Sequence, residues 1–153
     1  MSICTLPAVL DALRDDLAAL PGLAQVQVWT SHPGELTGEN ILLAAEAVPL
    51  EEEPAGLGST SRFESYTIPC GTWAAVANST EASIKAARDR VFELYGYVES
   101  YMMDAIPQTI SSTCRSADIT LGEFTQGIYA GSDFNGRWAE VHFTITVEAT
   151  KIP

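Results

Sequence analysis

Between Ala139 and Ala149 every second residue is apolar: Ala139, Val141, Phe143, Ile145, Val147 and Ala149 alternate with Glu140, His142, Thr144, Thr146 and Glu148. Side chains of an extended chain project to opposite faces in turn, so this segment reads as a strand with one dry face and one wet face. That pattern belongs to an antiparallel sheet covered on one side. The dry face needs a cover, and the spacing predicts one over residues 84–105. There Ile84, Ala87, Val91, Leu94, Val98, Tyr101 and Ala105 recur in steps of three and four over about six helical turns. Asn78 or Ser79 is placed to cap this helix, Glu81 to favour its first turn, and Pro107 to end it.

The same reasoning organises the rest of the chain. Leu6, Val9, Leu10, Leu13, Leu17 and Leu20 form one apolar stripe, with Thr5 and Pro7 at the start of the helix and Pro21-Gly22 at its end. Strands are expected over 24–30, 41–48 and 62–77, where Pro69 and Gly71 argue for an edge position or a bulge. Residues 41–77 then make a long hairpin with a mobile acidic tip at about 49–61. A last hairpin pairs the segment around 117–128 with the alternating strand through a turn at 131–136. Within it the apolar parity changes at Gly122, which predicts a β-bulge. The expected fold class is α+β, with residues 1–153 as a single domain. It is a mixed, mostly antiparallel sheet of about five strands with two helices on one face, in the order α-β-β-β-α-β-β.

Charge and composition exclude several functions. Twenty acidic residues against eight basic ones give a net charge of −12, which argues against tight binding to DNA or an anionic membrane. It is compatible with simple solubility, and with a protein that DNA passes without sticking. No apolar run is long enough to span a bilayer, and the first residues lack the pattern of a signal peptide, so synthesis in the cytoplasm is expected. Cys4, Cys70 and Cys114 are widely spaced and read as reduced thiols. The motifs for nucleotide, zinc, calcium or serine-hydrolase chemistry are missing. His32 and His142 lie far apart, and Cys114 beside Arg115 lacks a matched His and Asn. The sequence therefore offers no catalytic, cofactor-binding or metal-binding residues, and the expectation is a protein that is not an enzyme.

What remains is surface. By parity, Trp29, Trp73 and Trp138 fall on or near the face opposite the apolar set of their strands. Outward Trp has two explanations: a sheet covered on both faces within one chain, or a partner that covers it. Gly96 sits in the middle of the second helix, opposite its apolar stripe, where glycine costs about 1 kcal/mol relative to alanine. It is either neutral change on an exposed face or a point of close approach by another subunit. Glu51, Glu52 and Glu53 form either a solvated tip or an electrostatic surface.

Three stretches carry a family likeness: Tyr66-Thr67-Ile68-Pro69 running into Gly71-Thr72-Trp73; Ala86-Ala87-Arg88-Asp89-Arg90-Val91-Phe92; and Gly122-Glu123-Phe124-Thr125-Gln126-Gly127 with Ala139-Glu140-Val141-His142-Phe143. Through them the chain, over about residues 8–150, resembles the tail terminator (tail completion, head–tail joining) proteins of long-tailed bacteriophages, in the form seen in phages of actinobacteria. These are packing and turn patterns, not chemical motifs. The resemblance implies a ring, usually a homohexamer, that caps the tail tube at full length and presents the surface that joins the head. Its implied partners are its own copies, the major tail tube protein and the head–tail connector proteins, with DNA passing through the lumen and no membrane involved. The implied location is the virion, at the tail–neck junction. Glu51 to Glu53 would lie near the lumen or an end face, and Trp29, Trp73, Trp138 and Gly96 at subunit or tube contacts. The alternatives are another neck or head-completion protein of the same connector, or a non-viral protein-binding adaptor domain.

Overall fold

Two long strands paired along their whole length organise the molecule. The computed structural model describes residues 4–56, 61–104, 109–130 and 135–151. In chain order these form α1 (Leu6–Ala18), a 3-10 turn (Pro21–Leu23), β1 (Gln27–Trp29), β2 (Glu39–Leu42), β3 (Leu50–Pro54), β4 (Arg62–Ala77), α2 (Glu81–Met103), β5 (Ser116–Ala130) and β6 (Asn135–Lys151). The class is α+β, with a six-stranded mixed sheet in the order β1-β2-β4-β6-β5 and β3 joined to β4. Only β1 and β2 run parallel; the other pairings are antiparallel.

Every residue of β4, from Arg62 to Ala77, faces one of β6, from Lys151 back to Gly136. The alternating residues Ala139 to Ala149 of β6 are all buried, as their period requires. On β4 the same face carries Tyr66, Ile68, Cys70, Thr72 and Ala74, also buried. Helix α2 lies over both strands with Ala87, Val91, Leu94, Val98 and Tyr101 inward, and α1 adds Val9, Leu13 and Leu17. Burial at about 1.5–3 kcal/mol for each large side chain makes this layer the main source of stability. Contact is close: the Thr72 hydroxyl donates to the Val91 carbonyl at 3.0 Å, and the Tyr95 ring meets Phe143 edge-on at 5.4 Å.

Several expectations need correction. The strand expected over 41–48 stops at Leu42, because Ala44 adopts a left-handed φ of 51° that turns the chain aside. The acidic tip expected at 49–61 is not all loop: Leu50–Pro54 is strand β3, laddered to Arg62–Tyr66. Glu51, Glu52 and Glu53 are thus strand residues, held in part by Glu52, which pairs with Lys151 at 2.9 Å and Arg62 at 3.7 Å. Residues 57–60 of that tip lie outside the described residues, as do Pro107 and 131–134 of the expected turn. Asn135 and Gly136, also expected in the turn, belong to β6.

The cap of α2 is Thr80, whose hydroxyl accepts the Ser83 N–H at 3.2 Å, and not Asn78 or Ser79. Asn78 instead takes a left-handed φ of 76°, which Asn tolerates better than most residues. Strand β4 is central, not an edge. Pro69 fits there because the edge of β4 away from β6 is split between β3 at Arg62–Tyr66 and β2 at Gly71–Ala74. The Pro69 carbonyl accepts Ala45 N–H at 2.9 Å in the gap, and the missing N–H of the same residue points to that side too. The expected bulge is present: the β5–β6 register shifts between Leu121 and Phe124. A Cβ on Gly122 would stand 2.9 Å from the His142 carbonyl oxygen, so a side chain there cannot fit unless the strand moves.

One charged group is locked under this layer. Glu64, 5% exposed on the helix-facing side of β4, accepts the backbone N–H of Thr5 at 2.7 Å, at the start of α1. Thr5 does stand at the cap, but its hydroxyl bonds Tyr66 Oη at 2.9 Å and makes no side-chain cap. Burial pushes the Glu64 carboxyl up, yet hydrogen bonds from the Thr5 side chain and backbone outweigh it and hold the carboxyl below its ordinary 4.5. A carboxyl depressed in the folded state adds stability that is complete above its unfolded value and lost as pH falls through its folded value. Glu64→Gln should therefore cost about 1–3 kcal/mol at neutral pH and flatten the acid side of the stability profile below about pH 4.5. Urea unfolding of both proteins across that range checks this; equal neutral-pH stability would show that the carboxylate anchors nothing.

Candidate assembly surface

Helix α2 lies on β4 and β6, while β5, the 15-residue outermost strand of its edge, is only partly covered. Among the described residues β5 has one neighbour, β6, so its other edge carries unpaired backbone groups. Its helix-facing side begins half-buried at Ala117 and Ile119 and then opens: Leu121 is 50% exposed and Ile128 is 62% exposed. Phe124 lies between them with its ring 5.4 Å from that of Phe92 on α2, which is also exposed. A long edge strand with an apolar stripe is a template for pairing with another chain unless it is covered. Here Leu121, Phe124 and Phe92 form an apolar surface across two elements, and Ile128 adds to it beyond the exposed Gln126.

The three tryptophans have different settings. The parity expected for Trp29, Trp73 and Trp138 holds, and all three face away from the helices. Trp73 is nonetheless 6% exposed and so is covered within the chain, the first of the two explanations. It neighbours Asn40 of β2, whose Oδ1 accepts the Trp29 indole N–H at 2.9 Å and whose Nδ2 donates to the Thr37 carbonyl at 2.9 Å. Asn40, Leu42 and Trp73 are thus buried on the far side of the sheet, with the segment after β1 tied to Asn40 through Thr37. Trp29 remains partly exposed at its rim. Trp138 is half-buried over Gly127: a Cβ there would lie 2.7 Å from the indole ring. Gly96 has open space where a side chain would be.

At the other end of the far face, Glu51, Glu53, Ser65 and Glu148 surround Phe63, over which Arg115 places its guanidinium carbon at 5.0 Å. The result is an open acidic depression of about 500 Å³. Elsewhere Arg90 clamps Glu39 at 2.7 and 2.9 Å, tying α2 to β2, and that hydrogen bonding raises its own proton affinity.

The reactive side chains are quiet. Burial pushes the Cys114 thiol up to about 11 despite the neighbouring Arg115, and Cys70 up to about 12. Neither is primed as a thiolate. Tyr95 is pushed up to about 12, first by burial and then by its bond to Glu99. Among the described residues no group of three His, Cys, Asp or Glu side chains could hold a metal ion, and no described helix is long and apolar enough to cross a membrane.

Sequence reasoning missed the Leu121–Ile128 stripe as a surface. Its apolar spacing was visible, but nothing in the sequence tells that α2 covers β5 only in part. It also missed Arg137 of β6, whose buried Nε has no hydrogen-bond partner among the described residues. No family model matches the chain, and no curated protein matches it.

The glycines provide a test of these placements. Gly127→Ala should destabilise the monomer by about 1–3 kcal/mol through the Trp138 overlap, whereas Gly96→Ala should stabilise it by about 1 kcal/mol. Denaturant midpoints measure both. If Gly96→Ala also weakens self-association, another backbone approaches that helix face.

Proposed function

We propose that this chain is a structural virion protein that closes into a homohexameric ring on the end of a phage tail tube, halts tube growth and supplies the surface that joins tail to head. The observation that carries the reading is the exposed apolar set of Leu121, Phe124 and Ile128 on β5, an edge strand among the described residues, continued by Phe92. A monomer in water leaves this surface unsatisfied. A ring of copies covers it and removes the edge hazard together.

The mechanism is geometric. Growth stops because the ring offers the last tube layer a docking face on one side and no further tube-like face on the other. A net charge of −12 suits a lumen through which DNA slides, since like charge repels the phosphates and leaves them mobile. The partners in this reading are sibling copies, the major tail tube protein and the connector proteins of the head. The quiet thiols are consistent with a role that rests on interfaces.

Light scattering or sedimentation decides the matter. The wild-type chain should form a closed oligomer of defined mass, either alone or with tail tubes. Leu121→Ser with Ile128→Ser should weaken that assembly at least about tenfold while lowering the monomer's denaturant midpoint only modestly, because both side chains are already half or more in water. A dimer that uses one patch would favour an adaptor domain, and a chain that stays monomeric even beside tail tubes would end the proposal.

A further inference from the structure

The chain has eight Lys and Arg residues against twenty acids, and nearly all are engaged. Six have a carboxylate within ion-pair range, and Arg115 stacks on Phe63. Arg137 has neither among the described residues, and its Nε is buried without an acceptor. With its Nε buried and no acceptor for it among the described residues, this guanidinium has a donor to offer, and its planar fork matches a carboxylate.

Arg137 stands opposite Ile128 in the β5–β6 ladder. It lines a cavity of about 230 Å³ together with Ile84 of α2, Gln126, Gly127 and Trp138. That volume falls below the range usual for small-molecule sites, roughly 300–1,000 Å³, and suits a single side chain. The cavity adjoins the exposed apolar stripe at Ile128. Ile84 and Trp138 supply apolar walls, and Gln126 with the half-buried Arg137 supplies polar donors, a lining that fits a carboxylate on a short aliphatic stem.

We propose that this cavity is a socket for a glutamate of the neighbouring copy, supplied by Glu51 or Glu53 of its β3. The inference rests on the ring reading and deepens it, and it moves the acidic strand from the lumen to the subunit contact. Charge complementarity selects the donor. Glu51 and Glu53 are exposed and form no ion pair among the described residues, and they lie on β3, on the opposite side of the sheet from β5. The receiving half of β5, Phe124 to Ala130, carries no acid, while Asp118 and Glu123 occupy its other half. A contact between two different edges of one sheet is head-to-tail, the arrangement that closes into rings and not into two-fold dimers.

Charge reversal tests this in whichever condition the wild-type chain assembles, alone or with tail tubes. Sedimentation velocity over a concentration series should show Arg137→Glu and the pair Glu51→Arg with Glu53→Arg each raising the half-assembly concentration at least about tenfold. Combining all three should restore assembly to within about threefold of wild type. Circular dichroism checks that each variant folds, and Arg137→Gln replaces Arg137→Glu if the latter does not. Reversals without effect, alongside dissociation of the Leu121→Ser, Ile128→Ser protein, would overturn the socket and leave the ring. Loss of assembly without rescue would overturn Glu51 and Glu53 as the donors. A wild-type chain that never assembles ends both readings.

Discussion

The pairing of β4 with β6 supports every other feature. It joins distant parts of the chain, Arg62 with Lys151 and Ala77 with Gly136, into one unbroken antiparallel ladder. Because the side-chain period is two, that register decides at once which residues are dry and which are wet. Its dry face receives α2 and α1, and its two outer edges set where β5, β2 and β3 must go. A slip of one residue would send Val141, Phe143 and Ile145 into water and place His142 and Glu140 under the helices.

Polar contacts then fix how the helices sit on that layer. Glu64 holds the start of α1, and Asp16 near its end accepts hydrogen bonds from Tyr101 of α2 and, at 2.8 Å, from Ser111. Gly22 after α1 lets the Tyr97 ring close over the 3-10 turn, for a Cβ there would overlap it. Burial pushes the Tyr101 phenol up first and the Asp16 bond adds to it, so the phenol stays a donor. The residues Ile110, Ser111 and Ser112 all take left-handed φ values, 46°, 53° and 67°. That costs roughly 1–2 kcal/mol per residue, and the full burial of Ile110 with the Thr113 and Cys114 turn bonds offsets it.

The helix layer is narrower than the sheet. This mismatch leaves the β5 stripe in water, and the proposed ring follows from it. The far face differs in kind. It is polar along Thr67, Thr146 and Thr144, buried at Asn40, Leu42 and Trp73, and acidic around Phe63. A surface divided this way suits a subunit that meets different neighbours on different sides.

Local pattern was enough for the elements whose faces repeat. The alternation of Ala139 to Ala149, the three-and-four spacing of Ala87 to Tyr101, the extent of β4 and the bulge beside Gly122 are all written in periodicity, because burial of one face selects one residue type at each repeat. Strand β3 was not legible. Leu-Glu-Glu-Glu-Pro has poor strand propensity, and only the neighbouring β4, with Lys151 and Arg62 brought to Glu52, makes it extended. Parity told that Trp73 and Trp138 face away from the helices, but covering one and leaving the other beside a glycine depended on where loops and strands fold over them. Arg137, with no carboxylate in ion-pair range among the described residues, is likewise a fact of assembly in space: a sequence shows which charges exist, and only the packed chain decides which of them find a partner.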